Sequence, residues 1–234
     1  MSIKEKYKVK SIAKYLCKDW LLHKHYAKRL PSISYSFGLF DDNLIGVMTI
    51  GKPASPALCV GVCGESNSKY VYELNRLCVN DNLEKNVLSY FVSQSLKMLN
   101  DLILVSYADT KMKHNGYIYQ ATNFIYTGIS KPGGKSCDWL FNGRSIHGKN
   151  INEKWFKAKN LEFDSEKSLK ENFSNAGGEV REGGIKYRYI YFVGNKSKVR
   201  QWKKELNYKI QDYPKGQNER YDTSYKPNIQ VQLF

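Results

Sequence analysis

Apolar positions along the 234-residue chain change their spacing several times, and each change predicts an element. Within residues 8–30, Ile12, Leu16, Trp20 and Leu21 recur at helical spacing, and Pro31 ends the segment. Tyr35 to Phe40 and Leu44 to Ile50 are strand-like and flank the turn cluster Asp41-Asp42-Asn43, so they predict a hairpin. Ala57 to Val62 predicts another short strand. Tyr70 to Val79 alternates, with Val71, Glu73, Asn75 and Leu77 on one side and Tyr72, Leu74, Arg76 and Cys78 on the other. The clearest helix follows. Asp81 stands as its cap with Glu84 three residues later, and Leu88, Phe91, Val92, Ser95, Leu96 and Leu99 form one buried stripe.

Leu102 to Val105 is an unbroken aliphatic run, the mark of a strand buried on both faces. The chain then turns polar at Ser106, Tyr107 and Asp109 and enters a basic loop containing Lys111, Lys113, His114 and Gly116. A short amphipathic helix near 116–122 and an aromatic strand near 124–129 follow. Residues 130–180 are rich in Gly, Asn, Ser and Lys and predict a loop-rich insertion with one helix over 165–175, capped by Ser165. Tyr187 to Val193 predicts a last strand, Ser197 to Leu206 a basic helix, and residues 214–234 an extended or disordered tail. The fold class predicted is α+β. A mixed central sheet flanked by helices holds a parallel strand–helix–strand unit in its middle and carries a basic C-terminal extension. All 234 residues are expected in a single domain whose core spans about 10–130 plus 185–210.

Charge adds a partner. The net charge is +15, and it is concentrated at the ends. Residues 1–30 hold nine Lys/Arg against two acids, residues 181–234 twelve against five, and the middle is nearly neutral. A neutral centre between basic flanks points to a polyanion, foremost nucleic acid, although a solubilising lysine surface has the same signature. Lys14, Lys18, Lys28, Arg29, Lys113, Arg188, Lys203 and Lys204 are the candidate phosphate contacts. Five cysteines without a CxxC pair predict reduced thiols in a cytosol. No apolar run approaches the roughly 18 residues of a membrane span, and no signal peptide is expected.

The chemistry-bearing residues each allow two readings. Asp109 ends a buried strand, where it serves as a general base or as a turn cap. Tyr119, ten residues on, is a core aromatic packing on the sheet. His25, followed by Tyr26, is a metal ligand, a base or a helix C-terminal charge. Arg76 sits among apolar neighbours with Glu73 on the opposite face, so it requires another anion: Asp109, a cofactor phosphate or a DNA phosphate. Ser95 interrupts the apolar stripe as a close-packing residue or a cofactor contact. Tyr35 opens the first hairpin strand and lines the same cleft.

Sequences at several positions then resemble a known family. ELNRLCV (73–79) before the predicted helix and GYIYQATNFIYTG (116–128) are similar to the GNAT acyltransferase fold. By resemblance to GNAT-like sites, Tyr119 has a second reading as a proton donor. HY (25–26), ELNRL (73–77), SYAD (106–109), GYIYQATNFIYTG and KYRYIYF (186–192), in this order over roughly residues 15–215, resemble the Mom family of phage DNA-modification proteins. That resemblance implies an enzyme that adds a carbamoylmethyl group to the N6 amine of adenine in double-stranded DNA and shields phage DNA from host restriction. It implies a host-cytoplasmic location, and iron and a coenzyme A thioester as cofactors, with His25 a metal candidate. The loop Asn80 to Asn86 departs from the acyltransferase pattern, because it has no glycine to bring backbone N–H groups to a pyrophosphate. Two other functions share the sequence features: an N-acetyltransferase of tRNA or protein amines, and a non-catalytic DNA-binding protein.

Overall fold

In the computed structural model, residues 2–130, 137–146 and 148–216 are described. Their strands are β1 (Lys8–Ser11), β2 (Tyr35–Phe40), β3 (Leu44–Gly51), β4 (Val71–Val79), β5 (Leu102–Asp109), β6 (Ile125–Ile129), β7 (Cys137–Phe141), β8 (Arg144–Ile146), β9 (Glu179–Glu182) and β10 (Lys186–Val193). The α-helices are α1 (Ile3–Lys6), α2 (Pro56–Cys63), α3 (Val87–Lys97), α4 (Tyr117–Ala121), α5 (Glu153–Ala158), α6 (Leu169–Asn175) and α7 (Lys196–Lys204). The chain divides into two compact units, one of Met1–Gly128 with Tyr187–Phe234, the other Ile129–Lys186.

The first unit is built on a seven-stranded sheet ordered β1-β2-β3-β4-β5-β10-β6. The first four strands are antiparallel and β4 pairs with β5 in parallel, so the sheet is mixed as the sequence predicts. The crossover between β4 and β5 is α3. Its stripe of Val87, Phe91, Val92, Leu96 and then Leu99 packs on Met48, Ile50, Leu74 and Leu104. A second cluster joins α2 and α7 through Val62, Val71, Ile103, Ile190 and Trp202. Trp202 is buried and donates from Nε1 to Asn67 Oδ1 at 2.9 Å, which docks the basic α7.

Four local expectations are corrected. Residues 8–30 do not form one helix. Lys8–Ser11 pair with β2, and Cys17, Trp20 and Leu21 reach the core from a 3₁₀ turn (Lys14–Cys17) and a π-type turn (Trp20–Lys24). Sheet pairing outweighs the apolar spacing there. Ala57 to Val62 lies in α2 and not in a strand, because Ser55 caps it (Leu58 N–H to Ser55 Oγ, 3.4 Å) and Pro56 fills its first position. Asp81 does not cap α3. It pairs with Lys24 at 3.3 Å, Glu84 pairs with Lys6, and the cap is Asn86 with a left-handed φ of 70°. The alternation of β4 breaks at Asn75. Arg76 lies opposite Thr49 and Leu74 opposite Ile50, so Asn75 is a one-residue bulge. Leu74 and Leu77 therefore share the α3 face, and Glu73 and Arg76 share the other.

The second unit covers the stretch expected to be loop-rich, yet it carries a three-stranded sheet, β8-β7-β9, with α5 and α6. Trp139, Ile151, Phe156 and Phe173 form its own core. Asn142 and Gly143, both at positive φ (49° and 72°), turn β7 into β8. The cap of α6 is Ser168, not Ser165, in a capping box with Glu171. The predicted tail from residue 217 onward lies outside the described residues.

Candidate active site

Parallel strands β4 and β5 are in register from Val71/Ile103 to Glu73/Val105. Beyond that, β4 continues to Val79 and β5 to Asp109 with no further pairing between them among the described residues. Ser106 Oγ donates to the Leu74 carbonyl at 2.8 Å where the ladder stops. The strand ends thus form a fork at their carboxyl side, the place where open α/β sheets hold ligands.

Several predicted residues meet at this fork. Tyr119, 9% exposed, comes from α4, its ring 5.2 Å from Tyr189 and 5.3 Å from Phe124. Burial raises its hydroxyl pKa, Ser106 partly offsets that, and Tyr26 and Glu73 are close enough to raise it further. Gly116, at φ 84°, starts the helix, where a Cβ would run into the Tyr189 ring. The Tyr189 hydroxyl donates to the Asn115 carbonyl, and Asn115 Nδ2 donates to the Gly216 carbonyl at 2.8 Å, so the turn is pinned on two sides.

His25 is 4% exposed and stacks on Tyr26 with ring centres 4.4 Å apart. Its Nδ1 accepts the Ala27 N–H at 3.1 Å, which leaves the ring proton on Nε2. Burial first, then Arg76, His114 and Arg29, push its pKa down to about 3. The imidazole is therefore neutral at physiological pH, and its reading as a cationic helix cap is corrected. The Tyr26 ring meets His114 edge-on at 6.3 Å. Loss of water and the Asp109 carboxylate raise the Tyr26 hydroxyl pKa. Asp109 Oδ1 also accepts the Lys111 N–H at 3.0 Å, so this residue caps its turn while its charge reaches the fork.

Arg76 donates from Nη1 to the Asn75 carbonyl at 2.6 Å, while its buried Nε has no partner among the described residues. Desolvation, then Arg29, lowers its pKa, and Tyr26, Glu73 and Tyr119 act in the opposite direction. Glu73 is therefore in electrostatic reach of Arg76, and its expected place on the opposite face is corrected by the bulge. Glu73 and His114 also neighbour this cluster, and sequence reasoning did not single them out as site candidates. ELNRL marks Glu73 only by adjacency, and His114 reads as an ordinary basic loop.

The sequence profile of the Mom protein family matches residues 6–215. The chain belongs to the Mom protein family. It is 27% identical over 221 residues to the methylcarbamoylase Mom of Escherichia phage Mu, covering 89% of this chain and 83% of that protein. Among solved structures, an N-acetyltransferase from Staphylococcus aureus Mu50 shares 12% identity, 80% of this chain and 98% of its own, with a TM-score of 0.43. The spermidine/spermine N-acetyltransferase SpeG from Vibrio cholerae, in complex with manganese ions, shares 8% identity, 82% and 95%, also at 0.43. Likenesses this slight carry neither ligand nor activity across.

Other predicted residues of this Mom family chain lie elsewhere. Ser95 is fully buried and donates to the Phe91 carbonyl at 2.9 Å, so its hydroxyl is spent inside the helix and it packs, with no face for a cofactor. Tyr35 leans on Tyr72 at 5.7 Å. Arg188 is 8% exposed, bonds Thr127 Oγ1 and the Thr127 carbonyl at 3.0 and 3.1 Å, and lies 3.4 Å over the Tyr208 ring. It is a core cation, which corrects its reading as a DNA contact. Lys14, Lys18, Lys28, Lys113, Lys203 and Lys204 are exposed; Arg29 is exposed too, but within electrostatic reach of His25 and Arg76.

The implied iron does not match its place. Among the described residues no three His, Cys, Asp and Glu side chains gather as a metal centre would require, and the groups around His25 are Arg76, Arg29 and His114. That cationic setting disfavours iron. Three residues before α3, Glu84 pairs with Lys6 and accepts from the Tyr7 hydroxyl. No helix among the described residues is long and apolar enough to cross a membrane.

Proposed function

We propose that this Mom family protein adds a carbamoylmethyl group to the N6 amine of adenine in double-stranded DNA, and so protects phage DNA from restriction. The observation that carries the reading is the fork itself. It brings the carboxylates of Glu73 and Asp109, the hydroxyls of Tyr26 and Tyr119, the guanidiniums of Arg76 and Arg29 and a neutral His25 each within electrostatic reach of others in the set. An exocyclic amine donates two hydrogen bonds, which carboxylates accept, and it sheds a proton as its N–C bond forms and the carbamoylmethyl donor's bond to its leaving group breaks, the leaving group departing with that bond's electron pair. Asp109, at the end of β5, is the base that takes that proton, and Glu73 orients the amine. Tyr26 and Tyr119, their pKa values raised, stay protonated and donate. In a duplex the amine is engaged in pairing, so the adenine is flipped out and stacked on aromatic rings, of which Tyr26 is an exposed one.

The test is a nucleoside spectrum. Plasmid DNA from a bacterium making the folded protein is digested and searched for a heavier deoxyadenosine. Fragmentation then separates a carbamoylmethyl substituent from its isomer, the methylcarbamoyl group named in the phage Mu relative. The Asp109→Asn variant, equally abundant, gives unmodified DNA. An unmodified spectrum from the unaltered protein sinks the proposal. The coenzyme A thioester carried by the family resemblance is checked separately, by calorimetric titration with acetyl-CoA. Absence of binding removes that donor and leaves the base modification to the spectrum.

A further inference from the structure

Charge in the second unit is sorted by position. Residues 139–160 hold five Lys/Arg and one acid, whereas residues 161–186 hold four and six. In the acidic part, Lys167 pairs with Asp164 at 3.1 Å and Arg181 with Glu179 at 2.5 Å. In the basic part, Arg144, Lys154, Lys157 and Lys159 are all exposed.

These four cations are held by one rigid corner. Arg144 opens β8 directly after the Asn142-Gly143 turn and lies opposite Phe141 in the ladder. The Trp155 ring of α5 meets Phe141 edge-on at 5.1 Å, and the Lys159 ammonium lies 5.7 Å from the Phe141 ring and 5.5 Å from Trp155. The end of α5 is thereby fixed against the end of the hairpin. Lys154 and Lys157 are three apart on the helix and point away from the buried Phe156. Asn152 caps the helix by accepting the Trp155 N–H at 3.1 Å, so the corner is preorganised.

We infer that this corner, the β7–β8 hairpin end with the outer face of α5, binds the sugar-phosphate backbone of duplex DNA. The inference rests on the functional reading above and names a surface which that reading does not use. Cations on preorganised elements lose little entropy on meeting phosphates, and each phosphate neutralised releases counterions. A two-stranded hairpin and a helix are also the elements that fit a DNA groove.

The experiment uses the full chain and a fluorescently labelled DNA duplex, with anisotropy followed across a salt series. The triple variant Arg144→Gln/Lys154→Gln/Lys157→Gln binds at least tenfold more weakly, and its slope of log affinity against log salt is shallower by about three. The control Lys167→Gln/Lys170→Gln, in the acidic part, changes affinity less than twofold. Affinity and slope unchanged in the triple variant overturn the inference, as does an equal loss in the control. So does a loss seen only with duplex RNA as the probe. A circular-dichroism melt confirms that the variants are folded. Failure of the functional reading is distinguishable: it appears as unmodified deoxyadenosine from the unaltered protein, whatever the triple variant does to binding.

Discussion

His25 shows how burial changes what a residue can do. Unfolded, it takes up a proton near the ordinary imidazole value of 6.5; folded, it stays neutral down to about 3. Unfolding therefore binds a proton in that window, and stability falls as pH falls through it. Urea unfolding at about pH 7 and about pH 5.5 should differ by about 1 kcal/mol from this group alone, and the difference should vanish in His25→Gln. Arg188 gives the opposite lesson. Removing its bonds to Thr127 and its stack on Tyr208 in Arg188→Ala should cost about 2–3 kcal/mol in urea unfolding. The salt slope of DNA binding should not move, because the guanidinium faces the core. At this scale the sequence marked Asp109, Tyr119, Tyr26, His25 and Arg76, all of which reach the fork. It could not say which cations are buried, since a basic residue in an aromatic strand reads alike whether it faces phosphate or Thr127.

Among the elements, β5 and α3 were legible because their apolar runs are long and regular. The β4 bulge was not, because an extra residue is defined only by what lies across the ladder: β3 supplies Ile50 and Thr49 on either side of the gap. That one residue decides whether Glu73 and Arg76 meet. The segment 8–30 misled for a related reason, since its apolar spacing suits a helix while its first residues are claimed by the edge of β2. The turn before α4 is an exacting element. Gly116→Ala combines a positive φ with a clash at the Tyr189 ring. It should cost about 2 kcal/mol, read as a lowered thermal midpoint, and reduce the yield of modified deoxyadenosine more than tenfold by displacing Tyr119.

For the whole molecule, the distribution of basic residues was visible at once, but the second unit was not. Its Gly- and Asn-rich composition hid a core made by four well-spaced residues, Trp139, Ile151, Phe156 and Phe173. The unit enters and leaves the chain at one place, where the Ser130 N–H donates to the Lys186 carbonyl at 2.8 Å. Replacing residues 131–185 by a short Asn-Gly turn should therefore leave the first unit folding cooperatively, checked by a single sharp transition in its circular-dichroism melt. The same junction bears on how such chains diversify. Two codons that are distant in the gene encode neighbours in space, so a crossover at each would swap this whole compact unit between relatives. Every codon for the fork, from His25 to Tyr119, would stay in its own lineage.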